Sequence, residues 1–307
     1  MGQRNFRLYV DSNKELKAFI KTSAGSSIDF PYTVNLSENM WYHVALKFDG
    51  NTGVIDLYLN GNNVWSYPSG WLIGTTLNNQ AAWNSDHDFE IGRNTELDNN
   101  YFEGSIYETR VYNKALTSNQ LHRQINQEIE NNSGNVRGTV IPKDIEGLQW
   151  SDLELYYKMG IIETGYTPDE SNSNVDGHLN NMRTYQERTA PLPYTTTVSC
   201  SGNWSNTNNW EQGTIWDIAG SHPESAIVHI KGNIETNTSH STVGLIIDSG
   251  SKLTVNGNNE LNNSWYLKLN GDIDLQNESQ LVQGAESSLD VTSAGTLERD
   301  QQGTRDF

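Results

Sequence analysis

The sequence has little of what several classes of protein depend on. Its 307 residues include a single cysteine, Cys200, so no disulfide can form within the chain. No apolar run approaches the roughly 18 residues of a membrane-spanning helix, and no secretory signal pattern opens the sequence. Only 20 residues are basic against 38 acidic ones, which gives a net charge of −18. Because such a surface repels a phosphate backbone, the composition disfavours nucleic-acid binding.

What the chain does contain is typical of all-β proteins. Hydrophobic residues make up 35% of it, and its 26 glycines are accompanied by many Asn and Ser residues. That composition is lean for a helical or doubly wound enzyme but ordinary for strand-rich modules with many exposed turns. The sequence starts almost inside a strand pattern and stops without a capping residue, so we expect it to be a piece of a longer chain.

Alternating apolar residues predict the secondary structure of the first 128 residues. In the run over residues 55–59, the apolar side chains are expected to face inward, and Asp56 and Tyr58 to face outward. Thr117 and Gln120 have the spacing of a helix capping box. The pattern favours a hairpin over residues 7–21, strands over 28–34, 44–48, 55–59, 89–92 and 102–112, and one helix after residue 117.

Four segments of this region follow one another at a recognisable spacing. They are WYHVALKFDG, GVIDLYLNG, FEIG and FEGSIYETRVYNKALT, which begin at residues 41, 53, 89 and 102. Their order resembles the laminin-G-like family over residues 1–128, although Tyr107 stands where that family often has Asp. The resemblance implies a concanavalin-type jelly-roll sandwich with one short helix, whose first strands we expect upstream of Met1. It is informative about the fold and says little about function.

Residues 129–197 are predicted to form a connector with one strand and a proline-stiffened end. The strand is DLELYYKM, residues 152–159. Together with the DES and GHLNN sequences that follow, it resembles the opening strand of a laminin-G-like unit. Two readings stay open: a second such unit begins here, or the strand packs on the first domain.

Residues 198–307 contain short apolar runs between Asn, Gly and Ser turns that recur about every 8–12 residues. This spacing predicts a stacked β-solenoid, with a sandwich as the alternative. Trp204 and Trp210 precede the runs and are expected to be buried anchors. The phrases GLIIDSGSKLTV and LERDQQGT resemble repeat segments of giant Gram-negative surface adhesins exported by type IX secretion. That resemblance implies an extracellular or cell-surface location, with the type IX secretion machinery as an export partner.

The acidic residues do not predict an enzyme. A retaining glycosidase of the concanavalin type carries acids on alternate positions of one strand, as in E-x-D-x-x-E. No nucleophile elbow, phosphate loop or catalytic metal motif is present either. We therefore expect solvated strand faces at the acidic strings, and a chain that is not an enzyme. The strings that lack the third acid at the required step are GDIDLQNE, with Asp272, Asp274 and Glu278, and SDLELY, with Asp152 and Glu154.

The candidate ligand site is a long loop predicted over residues 62–83. Trp65, Tyr67, Trp71 and Trp83 crowd this loop. Aromatic rings there could form a platform for the apolar face of a sugar. The alternative is that the same rings roof the sandwich.

Calcium is the one cofactor that the sequence suggests. Laminin-G-like domains often bind one calcium ion at a rim, through carboxylates and backbone carbonyls. Asp86 and Asp88, in a compact acidic loop, are the candidate ligands. The alternative is an ordinary solvated turn.

These features predict a non-catalytic fragment of a large secreted or cell-surface adhesin. The jelly roll would bind glycans or other surfaces through its rim loops, and repetition along the chain would make weak sites effective. Two other functions stay open. One is an accessory carbohydrate-binding region of a secreted polysaccharide-degrading enzyme, and the other is a structural spacer.

Overall fold

The computed structural model describes residues 6–21, 27–29, 34–76, 89–94, 100–160, 165–180, 189–213 and 226–300. Over these residues the fold is nearly all-β with one α-helix, which confirms the predicted fold class. No helix in these ranges is long and apolar enough to cross a membrane.

Contacts divide the chain into two compact units. The grouping differs from the predicted division at residues 128 and 197, because a later segment rejoins the first unit. The first unit combines Met1–Leu59, Asn63–Ala115 and Glu154–Leu179, and the second combines Asn60–Asn62, Leu116–Leu153 and Asn180–Phe307.

The strands follow the same grouping. The first unit opens with β1 (Phe6–Val10), β2 (Glu15–Lys21), β3 (Ser27–Asp29), β4 (Val34–Asn35), β5 (Val44–Asp49), β6 (Val54–Leu59), β7 (Asn62–Pro68), β8 (Arg93–Asn94), β9 (Asn100–Tyr101) and β10 (Thr109–Tyr112). The second unit then contributes α1 (Ser118–His122), β11 (Ile129–Asn132), β12 (Asn135–Gly138) and β13 (Asp144–Gln149). The chain returns to the first unit with β14 (Leu153–Tyr157), β15 (Tyr166–Thr167) and β16 (Gly177–His178). It ends in the second unit with β17 (Tyr194–Thr195), β18 (Ile227–Ile230), β19 (Asn233–Thr236), β20 (His240–Ile247), β21 (Lys252–Val255), β22 (Glu260–Leu269), β23 (Asp272–Leu275), β24 (Gln280–Gln283), β25 (Ser288–Leu289) and β26 (Thr296–Arg299).

A two-layer sandwich supplies the core of the first unit. One layer is the sheet of β1, β2 and β3, with β4 also paired to β2, and the other is the sheet of β5, β6 and β7. Leu16, Ala18 and Ile20 of β2 are at most 2% exposed and cluster with Ile55 and Leu57 of β6. Because successive side chains of a strand point to opposite faces, the alternation in the sequence correctly predicted these inward positions.

The prediction that Asp56 and Tyr58 face solvent is wrong, because each is only 4% exposed. The Asp56 carboxylate accepts hydrogen bonds from Lys47 Nζ at 2.7 Å, Ser66 Oγ at 2.6 Å and Asn63 Nδ2 at 3.0 Å. Burial would raise the pKa of Asp56, but the bonds from these three partners outweigh it and lower the pKa. Since the partners lie on β5 and β7, this carboxylate ties all three strands of the sheet together.

β14 decides between the two readings left open for residues 152–159. It pairs with β10 in a two-stranded sheet, so this strand packs on the first domain. Tyr156 is fully buried there, and Tyr157 is 6% exposed. Further along, β15 and β16 form a short antiparallel ladder with Tyr166 opposite His178.

The predicted capping box of α1 is confirmed. The Gln120 backbone N–H donates to Thr117 Oγ1 at 3.2 Å, and the Thr117 N–H donates to Gln120 Oε1 at 3.1 Å. The connector after the helix is more structured than predicted. Besides β14, it contains the antiparallel sheet of β11, β12 and β13, whose first hairpin turns at Ser133 and Gly134 with positive φ angles. These strands are largely polar and lack the apolar alternation that would have indicated them.

Parallel strands of the second unit stack into a β-solenoid-like segment of about four turns, which confirms the prediction. β17, β18, β20, β22 and β24 form one sheet, and β19, β21, β23 and β26 form another. Equivalent apolar residues stack in register from coil to coil, as Ile234, Leu253 and Ile273 do, each at most 2% exposed. Stacking is required because one coil cannot bury its own apolar face.

Trp204 and Trp210 are buried anchors of the second unit, as predicted, at 3% and 4% exposure. Their rings meet edge to face with centroids 5.0 Å apart, and Trp210 Nε1 donates to the Trp204 carbonyl at 2.8 Å. Trp204 also stacks on His240, with centroids 4.3 Å apart. The pair therefore packs its indole rings against the first residue of β20.

Candidate functional site

Two of the predicted platform residues, Trp65 and Tyr67, lie on β7 and not on a loop. Being two positions apart, they share one face of the strand, and their rings stack with centroids 5.6 Å apart and 5° between planes. Both are half-buried and pack against the sandwich core. The prediction of a loop is therefore wrong for residues 62–68, because pairing with β6 overrides the polar local composition.

Trp71 is the most exposed of the three platform residues that the structure describes, at 47%. It is the middle residue of a 3₁₀ turn, Gly70–Leu72. Leu72 is fully buried in the sandwich core, whereas Ile73 is 58% exposed. Leu72 thus anchors a short turn that presents two apolar side chains, Trp71 and Ile73, to solvent.

The segment around this turn, residues 69–75, is called here the Trp71 loop, and it is held by the hairpin turn between β5 and β6. The Ser69 N–H donates to the Gly53 carbonyl at 3.0 Å, and the Gly74 N–H donates to the Gly50 carbonyl at 2.8 Å. Gly53 has a φ of +68°, and a Cβ atom there would lie 2.4 Å from the Ser69 carbonyl oxygen. Only glycine permits this close approach, so the loop is fixed before any ligand arrives.

The remaining predicted site residues, Trp83, Asp86 and Asp88, lie outside the described residues. Within the ranges that the structure does describe, no group of three or more His, Cys, Asp or Glu residues is placed to hold a metal ion. The calcium site at Asp86 and Asp88 stays a prediction.

Three of the five acidic residues considered for catalysis, Asp152, Glu154 and Asp274, make structural contacts. Asp274 pairs with Lys252 Nζ at 2.7 Å, and Glu154 accepts a hydrogen bond from Asn113 Nδ2 at 2.8 Å. Asp152 accepts from the backbone N–H of the residue three positions before it at 2.9 Å, within a capping box. These three carboxylates therefore take part in a contact between neighbouring strands, a side-chain hydrogen bond and a turn cap.

A small polar cleft in the second unit was not foreseen. Arg123 pairs with Glu286 beside it, and the Arg123 guanidinium carbon lies 5.1 Å from the centre of the Trp265 ring. Lys143 Nζ lies 5.2 Å from the same ring and donates to the Trp265 carbonyl at 2.9 Å. The cleft joins the helix to solenoid coils far along the sequence, and no local motif announces such a contact. Its lining residues are Asn119, His122, Arg123, Val243, Ser264 and Glu286.

Comparisons with known proteins bear on the first unit most directly. A solved structure of a candidate carbohydrate-binding protein from Bacteroides ovatus is 26% identical over 54% of this chain, with a TM-score of 0.35, and the match spans 40% of that chain. An S-layer domain-containing protein from Clostridium thermocellum is 20% identical over 38% of this chain and 62% of its own, with a TM-score of 0.21. Comparison with curated proteins gives no match. The family model Laminin_G_3, described as the concanavalin A-like lectin/glucanases superfamily, matches residues 1–122, and this similarity agrees with the jelly-roll sandwich expected for this part of the chain.

Proposed function

We propose that this chain is part of a large secreted or cell-surface adhesin that binds glycans without converting them. The first unit is the binding head, and Trp71 is its main contact. One observation carries the proposal: a half-exposed indole stands on a fixed loop of a domain that matches a lectin-containing superfamily. Export by type IX secretion rests on the resemblance of residues 244–255 and 297–304 to adhesin repeats.

Trp71 suits a sugar because the flat indole face can cover the apolar face of a pyranose ring. Aromatic side chains bury about 150–250 Å² when fully covered, so the 47% left open corresponds to roughly 100 Å². At about 25 cal/mol per Å², covering that area contributes about 2.5 kcal/mol before the entropy of association is subtracted. A single site of this kind binds at about millimolar strength with a few added hydrogen bonds. Such sites become effective when several act together on one surface.

The surroundings of the carboxylates support binding over catalysis. A general acid in a glycosidase needs a raised pKa, whereas the pKa of Asp56 is lowered by its three hydrogen-bond donors. Asp274 and Glu154 are engaged in a strand ladder and a side-chain contact. Retaining enzymes need two carboxyl groups about 5 Å apart on opposite sides of a bound sugar, and these acids are occupied in structural roles.

A glycan-binding experiment also distinguishes two other functions. An accessory region of a polysaccharide-degrading enzyme would bind glycans through the same surface, and a catalytic domain in the neighbouring sequence would identify it. A structural spacer would bind no glycan.

A glycan array probed with the whole chain selects the sugar, and calorimetric titration then compares three proteins. Trp71→Ala should weaken binding at least tenfold, whereas Ile73→Ala should bind like the wild type. Ile73 is the matched control because it lies on the same loop at 58% exposure and has no ring. Both side chains are exposed, so thermal unfolding should be unchanged. If no glycan binds at millimolar concentration, glycan binding is refuted and the structural spacer is favoured.

A further inference from the structure

The polar cleft of the second unit contains a buried guanidinium with spare hydrogen-bonding capacity. The Arg123 side chain is 9% exposed, and among the described residues its guanidinium forms one hydrogen bond, to a carboxylate oxygen of Glu286. A guanidinium has up to five N–H donors, held in a rigid planar fork. Arg123 also lines a cavity of about 50 Å³, together with Asn119, Ser264 and Glu286. We call this cavity and its lining the Arg123 cleft.

Two cations meet one carboxylate at the Arg123 cleft. The Arg123 guanidinium carbon and Lys143 Nζ lie 5.1 and 5.2 Å from the centre of the Trp265 ring, so one indole brings both charges together. Lys143 Nζ donates to the Trp265 carbonyl and to the Ser288 hydroxyl, both at 2.9 Å. These acceptors are neutral, and Lys143 forms no ion pair within the part of the chain that the structure describes. Glu286 is thus shared between two positive charges.

The Arg123 cleft therefore has one positive charge more than its own carboxylate neutralises. Burial and, after it, the charge of Arg123 lower the pKa of Lys143, and Glu286 offsets this only in part. The excess stands out in a chain whose net charge is −18. A second anion beside Arg123 would relieve the repulsion between the two cations, because charges a few Å apart interact more strongly in a partly buried site than in bulk water.

We propose that the Arg123 cleft binds a carboxylate group of an external ligand. Glu286 shows that the guanidinium pairs with a carboxylate here, and the planar fork suits a second one through the donors that Glu286 leaves open. The cavity holds about one or two water molecules, so it takes a carboxylate group but not a whole sugar ring. The site lies in the second unit and does not rest on glycan binding by the Trp71 loop, which belongs to the first.

An NMR titration of the whole chain with sodium acetate tests the site, with acetate replacing chloride at constant ionic strength. The reporter is the indole N–H resonance of Trp265, because both cations lie against its ring, and it is assigned by its absence in Trp265→Phe. The wild type should show a shift that saturates. Arg123→Gln should weaken acetate binding at least tenfold, and Lys143→Gln about threefold or more. No saturating shift in the wild type, or equal binding by the wild type and Arg123→Gln, would overturn the proposal.

Glu286→Gln should change the affinity in the opposite direction, and it keeps the test decisive if Arg123→Gln does not fold. The Glu286 side chain is 50% exposed, so its replacement should be tolerated, and it leaves both cations without their carboxylate. Acetate should then bind at least fivefold tighter than to the wild type. Glu211→Gln is the matched control, because Glu211 is 44% exposed and pairs with Lys231 in the same unit, and it should bind like the wild type. If Glu286→Gln binds acetate no better than Glu211→Gln, the charge excess has no role and the proposal fails.

A free carboxylate and an acidic sugar share this chemistry, and two further titrations separate them. Glucuronate carries a carboxylate on a pyranose ring, whereas methyl glucoside has the ring without the charge. Glucuronate that binds at least tenfold tighter than acetate would support the proposal with an acidic sugar as the ligand, and equal affinities would support it with the carboxylate alone as the recognised group. Methyl glucoside should leave the Trp265 resonance in place. If it binds as tightly as glucuronate, the cleft does not recognise a carboxylate and the proposal is overturned.

Discussion

Replacing Asp56 with alanine should loosen the sheet that carries the Trp71 loop. The Asp56 side chain is 6% exposed and accepts from Lys47, Ser66 and Asn63, which lie on both neighbouring strands. A hydrogen bond from a charged donor is worth about 1.5–3 kcal/mol and one from a neutral donor about 1 kcal/mol. The three bonds therefore set an upper range of about 3–5 kcal/mol.

The expected loss is at the lower end, about 3 kcal/mol. The Lys47 side chain is 24% exposed and lies 3.3 Å from the Tyr58 hydroxyl, so it can be partly resolvated when Asp56 is removed. Breaking a fully buried pair would have a larger effect. Asp56→Asn keeps the shape and one acceptor oxygen but removes the charge, and we expect about half of the loss.

The effect should also depend on pH in a defined direction. The pKa of Asp56 is lowered in the folded protein, so its stabilisation is complete above the unfolded pKa of about 4. It is lost as the pH falls through the lowered folded value. The difference between wild type and Asp56→Ala should therefore shrink as the pH falls below about 4.

Native-state hydrogen exchange in urea is the appropriate assay, because a chain of two units has no single free energy of unfolding. Amides of β5, β6 and β7 should lose protection in Asp56→Ala, and amides of β20 and β22 serve as the internal reference. Glu38→Ala is the surface control, since Glu38 and its partner Lys14 are 71% and 60% exposed and should contribute nothing measurable. A loss below about 1 kcal/mol in Asp56→Ala would refute the assigned role of the carboxylate.

Three further substitutions test other parts of the molecule. Gly53→Ala should speed exchange of the Trp71 loop and weaken glycan binding, because its Cβ would lie 2.4 Å from a loop carbonyl. Gly70→Ala is the control on the same loop, since its Cβ would meet open space and its φ is not positive, and it should leave binding unchanged. Trp204→Ala should destabilise the second unit by about 3–5 kcal/mol and lower its thermal transition alone, and an unchanged transition would contradict its anchoring role. The pKa of Asp290 is lowered to about 2 by hydrogen bonds from Thr292 and a tyrosine hydroxyl, so its stabilisation is lost as the pH falls from about 4 to 2. Asp290→Asn should remove this loss of stability of the second unit at acid pH. If the stability of the variant falls as steeply as that of the wild type between pH values of about 4 and 2, the role assigned to Asp290 is refuted.

Local patterns predicted several local features, but no strand forms over residues 89–92, and the strand predicted over 102–112 is reduced to Thr109–Tyr112. The inward positions of Leu16, Ala18 and Ile20 follow from the period of a strand, and the capping box at Thr117 and Gln120 follows from spacing within one helical turn. The solenoid was predictable because its apolar runs repeat and must stack to be buried. The exposed position of Asp56 was predicted wrongly, because alternation shows which residues share a face but not what covers each face.

Features that depend on distant pairing were less accessible from the sequence. β7 was read as a loop because its residues are polar and aromatic, and only its pairing with β6 makes it a strand. β14 was predicted as a strand, but its partner was left open. The two segments that meet are distant in the sequence, since Asn113 and Glu154, which are joined by a hydrogen bond, are 41 positions apart. For the candidate site, the sequence named Trp71 but could not separate it from Trp65 and Tyr67, which turn out to be half-buried against the core.

The most direct test of glycan binding by the first unit follows the indole N–H resonance of Trp71 during titration with the glycan selected on an array. The resonance is assigned by its absence in Trp71→Ala. We predict a shift that saturates with a dissociation constant of about 1 mM, and no measurable binding of the same glycan to Trp71→Ala. A glycan that binds without moving this resonance, or that binds Trp71→Ala equally well, would contradict the role assigned to the Trp71 loop.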